Sequence, residues 1–192
     1  MTFDLANSIE IRTWNKDLIQ VEASAETEDR RDSEKFDIQI EKDRSGIRIT
    51  SNSREIFELD KDDRLIVNGN EDFEFNYTVY VPEGVELEVS SILGKVTSKF
   101  LKGDITVEVV TGDIEIKEFE GELRLKSVTG KISLPVKEVS FSAETVMGEI
   151  YAHSDPRLQK KNSFIGQEIR LDLEKNPNRL NLKTVTGDIY LK

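Results

Sequence analysis

Cysteine is absent from the chain, which removes disulfide frameworks, thiolate zinc sites and cysteine nucleophiles together. A single histidine, His153, leaves no room for a multi-histidine metal site. Aromatic residues are only 7%, so nothing marks a sugar-cleaving cleft lined by ring platforms. No apolar run reaches the roughly 18 residues that a membrane-spanning helix needs, so no membrane insertion is expected. Gly-x-Ser-x-Gly, phosphate-loop and dinucleotide fingerprints are all missing. Basic charge is also in deficit: 27 Lys and Arg against 38 Asp and Glu give a net charge of −11. Nucleic acid and anionic lipid surfaces are poor partners for such a chain, because both need a basic face.

What is present is unevenly spread over the 192 residues. Residues 1–80 hold 20 acidic and 11 basic side chains, net −9, and residues 81–192 hold 18 and 16, net −2. The change falls at Val81-Pro82-Glu83-Gly84, a turn signal between two alternating runs, which divides the chain into regions 1–80 and 81–192.

The second region repeats. Ile92-Leu93-Gly94-Lys95-Val96 is followed by Val110-Thr111-Gly112-Asp113-Ile114, Val128-Thr129-Gly130-Lys131-Ile132 and Val146-Met147-Gly148-Glu149-Ile150, with glycines at steps of 18. Val185-Thr186-Gly187-Asp188-Ile189 is the same unit displaced by 39. Weaker copies lie halfway, at Gly103-Asp104-Ile105 and Gly121-Glu122-Leu123. Around each glycine, apolar residues fall at −2, +2 and +4, as in Val110, Ile114 and Ile116, with polar residues between. Period-two alternation predicts strands with one face inward, and places the −2 residues and the glycines on that face.

Two geometries fit a nine-residue spacing: a β-solenoid of 18-residue coils with one strand on each of two stacked sheets, or an antiparallel meander or sandwich. The corners Lys117–Glu120 and Lys126-Ser127 lack hairpin-turn chemistry, which favours the solenoid. The residue after each strong glycine runs Lys95, Asp113, Lys131, Glu149. On neighbouring rungs such a ladder alternates in sign and attracts, so it reads as scaffolding. The stack is expected to break over His153–Asn162, bulging as a polar loop, and again at Glu174–Arg179. The contact residues expected on these loops are Asp155, Arg157, Lys160, Lys161, Asn176 and Arg179.

Region 1–80 alternates without the glycine spacing. Ser8–Trp14 and Leu18–Ala23 predict a hairpin, Phe36–Ile40 and Ile47–Thr50 a second, and Leu65–Val67 and Phe73–Val81 further strands. No helix is required, so the fold class is all-β, with the first region packing on or capping the repeats.

Chemistry is sparse. Asp60–Asp63 followed by Asn68–Asp72 fails the EF-hand pattern, since Arg64 and Leu65 stand where an oxygen ligand and glycine belong; Asn68–Asp72 reads as a solvated turn, with a non-EF calcium site as the alternative. The carboxylates Asp104 and Glu122 are candidates for stacked neighbours, the only hint of a polysaccharide-active enzyme. His153 reads as a surface residue and Trp14 as sheet core. No catalytic, metal or cofactor-binding residue is assigned.

Tyr80-Val81-Pro82-Glu83-Gly84-Val85-Glu86-Leu87-Glu88-Val89, followed by serial Val-Thr-Gly-Asp-Ile units, resembles the bacterial putative-adhesin domain family of β-strand repeats. Ile9–Asp17 resembles the version found in Bacteroidetes envelope proteins. That resemblance implies a non-enzymatic, usually exported binding module, with an envelope glycan or protein as partner and no catalytic residues to transfer. The alternative is a structural or stress-related envelope protein that binds proteins or cationic peptides. Met1–Asn7 has neither the basic start nor the apolar core of a secretory leader, so the expected extracytoplasmic location needs a leader outside this sequence, with the cytoplasm as alternative.

Overall fold

The computed structural model describes residues 1–26, 36–52, 74–153, 155–162, 166–174 and 176–192. All regular structure among them is β, as the alternation predicts. In chain order the strands are β1 (Leu5–Trp14), β2 (Gln20–Glu26), β3 (Ile38–Lys42), β4 (Ile47–Ser51), β5 (Glu74–Pro82), β6 (Val85–Ser98), β7 (Leu101–Thr111) and β8 (Ile114–Ile116). They continue as β9 (Phe119–Thr129), β10 (Ile132–Leu134), β11 (Ser140–Thr145), β12 (Ile150–Ala152), β13 (Gln159–Asn162), β14 (Gln167–Leu171), β15 (Arg179–Thr186) and β16 (Ile189–Leu191).

β3 and β4 form the predicted antiparallel hairpin, and the other strands form one curled mixed sheet shaped like a half-barrel. That sheet has two arms. One carries the first half of β6, then β7, β9, β15 and β11 in parallel, ending in antiparallel β14 and β13. The other carries β2, β5, β1, the second half of β6, β8, β10, β16 and β12, parallel except for β2. Each strong glycine sits at the bend where the chain passes from the first arm to the second. Pairing in the repeats is parallel at an offset of 18, Leu101 beside Phe119 and Gly103 beside Gly121, so nine-residue antiparallel hairpins do not form there.

The arms close over a single apolar core, a sandwich-like arrangement. Ile105, Val107, Leu123, Leu125, Leu180 and Leu182 enter from the first arm, and Ile114, Ile116, Ile132, Leu134, Ile189 and Leu191 from the second. Burying one such side chain fully is worth about 1.5–3 kcal/mol, so the paired arms are the main source of stability in this region.

Glycine is required at the bend by close approach. A Cβ on Gly112 would lie 2.0 Å from the carbonyl oxygen of Gly94, and one on Gly187 1.9 Å from that of Gly130. The column runs Gly94, Gly112, Gly130, Gly187, Gly148, each backbone seated on the one before. Hydroxyls three residues upstream satisfy the bend carbonyls: Ser127 Oγ donates to Gly112 O at 3.1 Å and Thr145 Oγ1 to Gly187 O at 3.0 Å.

Several expectations are corrected. β15 and β16, last in the chain, lie between β9–β10 and β11–β12, so the units do not stack in chain order. The charge ladder accordingly runs Lys95, Asp113, Lys131, Asp188, Glu149, and Lys131 and Glu149 are not neighbours. Lys95 pairs with Glu115 at 3.1 Å, while the carboxylate of Asp113 accepts from the backbone N–H of Lys131 at 2.8 Å. The acid after glycine thus holds the next strand by its backbone.

β1 and β2 are not a hairpin, because β5 lies between them. Gln159–Asn162, expected as loop, is strand β13. Trp14 is half-buried at the end of β1 and outside the core, its Nε1 donating to Leu18 O at 2.9 Å with the Lys16 ammonium over its ring. Leu65–Val67, Asp60–Asp63 and Asn68–Asp72 lie outside the described residues.

Candidate functional site

The −2 residues of the repeat do not enter the core. Val110, Val128, Val185 and Val146 are 47, 45, 41 and 39% exposed, whereas Ile114 and Ile132 are fully buried. The bend at the glycine, left-handed at Gly94, Gly112 and Gly130, reverses the phase of alternation upstream of it. The −3 residues Ser91, Val109, Ser127, Thr184 and Thr145 turn inward instead. This phase reversal was the signal missed in the sequence. A hydroxyl residue stands at −3 in four of the five units, in the inward place, and it marks where alternation breaks.

The outcome is an external groove of about 480 Å³ running across the strands at the bend. Ile92, Val110, Val128, Val185 and Val146 form an apolar row over β6, β7, β9, β15 and β11. Four strand spacings make it about 19 Å long. Glu108, Lys126, Lys183 and Glu144 form a fence along one side. They are mutually paired, Lys126 with Glu108 and Lys183 with Glu144, the latter at 3.1 Å. A self-neutralised fence beside an aliphatic row suits contact and orientation, not proton transfer.

On the second arm Tyr151 and Tyr190 stack at 4.8 Å with their planes 8° apart. Tyr151 donates its hydroxyl to Glu149 at 2.6 Å and Tyr190 to Asp188 at 3.1 Å. The hydrogen bond to the Glu149 carboxylate pushes the Tyr151 hydroxyl up to about 12.

The expected contact residues are dispersed. Asp155 and Arg157 hold each other at 2.6 Å, and Arg157 draws the Asp155 carboxyl down to about 2. Asn176 donates to the carbonyl of Glu138, and Asn178 Oδ1 accepts from the N–H of Gly121 at 2.9 Å. Arg179 opens β15 and lines a shallow polar groove of about 560 Å³ with Glu122, Gln159 and Arg170. Lys160 is exposed on β13, and the side chain of Lys161 lies outside the described residues. His153 is exposed. Asp104 and Glu122 are neighbours in register, as expected, and Arg124 binds both, at 2.6 and 2.7 Å.

Among the described residues no helix is long and apolar enough to cross a membrane. No family model and no curated protein matches the chain. A crystal structure of a putative cell adhesion protein from Clostridium sporogenes is similar, with a TM-score of 0.57 and 12% identity over 100% of this chain and 91% of that one. At that identity the likeness is one of fold: over its whole length, this chain folds like that bacterial protein.

Proposed function

We propose that the chain is a non-enzymatic, adhesin-like binding module of the cell surface or envelope, and that the valine-floored groove is where it takes hold of its partner. The observation that carries this reading is the apolar row of four exposed valines and half-buried Ile92, kept in place by a backbone column that tolerates no side chains. A parallel stack pairing at an 18-residue offset supports describing residues 81–192 as a short β-solenoid, with the strands of 1–80 as its cover at the first end. The Clostridium sporogenes neighbour, a putative cell adhesion protein, supports the adhesin-like role and an extracytoplasmic location. Arg124 neutralises the carboxylate pair that a glycoside hydrolase would need free, which supports a binding role without cofactor over catalysis.

The test is binding of the purified protein to a panel of envelope glycans, peptidoglycan and envelope proteins. Saturable binding is expected, weakened about tenfold by Val128→Glu, which equals about 1.4 kcal/mol, with unfolding unchanged because the position is exposed. Turnover of a glycan, or binding that ignores Val128→Glu, overturns the reading.

A further inference from the structure

The last strand pair contradicts the rest of the stack in a way the sequence makes measurable. Arg179 pairs with Glu122 on one side and Ser140 on the other, and Ile189 pairs with Ile132 and Ile150. Glu122 and Ser140 are 18 residues apart, as are Ile132 and Ile150. That is the offset at which β7 pairs directly with β9, and β8 with β10. The walls of the slot holding β15–β16 are therefore already in register with each other. A shift of one strand spacing, about 4.8 Å, closes the slot without any slip.

Charge points the same way. With β15–β16 in place, Lys183 lies directly beside Lys126 while also pairing with Glu144 at 3.1 Å, and Asp188 is seated between Lys131 and Glu149, its carboxylate accepting the Glu149 backbone N–H. Without the strand pair, the row after glycine alternates from Lys95 to Glu149, and the fence reads Glu108, Lys126, Glu144. Like charges opposite each other on neighbouring strands destabilise, and alternation stabilises. The glycine column is compatible with this: a Cβ on Gly148 would lie 2.1 Å from the carbonyl oxygen of Gly187, as one on Gly130 would from that of Gly112.

Release exposes Leu180, Leu182, Ile189 and Leu191, all buried now. It also parts Lys183 from Glu144. Only a slot of the same sequence and register restores those contacts, and a second copy supplies one. We infer that β15–β16 is an exchangeable strand pair. Its own slot closes when it leaves, and it inserts between β9–β10 and β11–β12 of a second copy, linking two chains by reciprocal strand exchange.

The absence of cysteine makes disulfide reporters clean. Val128 and Val185 are neighbours between the paired Ser127–Thr184 and Thr129–Thr186. Val128 and Val146 stand two spacings apart, about 9.6 Å, beyond the roughly 7 Å reach of a disulfide. In the full chain, Val128→Cys with Val185→Cys reports the inserted state and confirms the fold. Val128→Cys with Val146→Cys reports the closed state and is expected to crosslink within one chain under mild oxidation. Mixing the single variants Val128→Cys and Val185→Cys is expected to give covalent heterodimer, whereas Val110→Cys with Val185→Cys is expected to give none. The inference is overturned if the Val128–Val146 crosslink never forms while Val128–Val185 does, or if the Val110 mixture yields as much heterodimer as the Val128 mixture.

Discussion

The N-terminal strands and the glycine-spaced strands belong to one sheet but are held by opposite means. β5 is packed by large rings: Phe3, ahead of β1, lies 4.5 Å from Tyr77, and Phe36, ahead of β3, stacks on Phe75 at 5.6 Å. The repeats bring backbone onto backbone, with no side chain at the point of contact. Both regions should therefore fail when core atoms are removed, but only the repeats should also fail when atoms are added at the bend.

The sharpest way to break that contrast is by paired substitutions. Phe75→Ala is expected to cost about 4 kcal/mol in urea unfolding, the range for emptying an aromatic site in a core. Gly112→Ala, which adds one methyl group, is expected to cost about 3 kcal/mol, because the new Cβ meets a carbonyl oxygen and the bend is left-handed. If Gly112→Ala proves as mild as an ordinary surface change, the column does not hold the stack. Ser127→Ala leaves the Gly112 carbonyl without its hydroxyl partner and should lose about 1 kcal/mol by the same assay.

The smallest effect is electrostatic. Asp155 titrates near 2 in the folded chain against an ordinary 3.8, held down by Arg157. Its contribution to stability is therefore present above the ordinary value and disappears as pH falls through it toward 2. Both side chains are exposed, so Arg157→Ala should bring the Asp155 midpoint up toward 3.8 in an NMR titration with little change in unfolding. An unmoved midpoint would show that the turn backbone, not Arg157, sets it.

The sequence made some of this legible and hid the rest for identifiable reasons. The glycine spacing, the all-β class, the β3–β4 hairpin and the pairing of Asp104 with Glu122 follow from local pattern, which a single chain records directly. The insertion of β15–β16 does not, because the step of 18 from Gly130 to Gly148 is the step that direct neighbours show. The groove was hidden by a one-residue change of phase: Val110 and Ile114 look equivalent in an alternating pattern, and only the bend between them sends one out and the other in. β1 and β2 looked like a hairpin because their separation is short, and β5, more than 40 residues later, took the place between them.

The far end of the sheet has a separate consequence. β14 runs antiparallel to β11 and β13 antiparallel to β14, and Gln167 Oε1 accepts the edge N–H of Ile150 at 3.1 Å. Neither strand continues the 18-residue register, so growth by duplication stops there and is possible only between Gly94 and Gly148. Each added unit would lengthen the valine row by one spacing, about 4.8 Å, with both termini of the stack intact. The molecule is in that sense a ruler whose markings are the glycines and whose length is set by how many copies stand between two fixed ends.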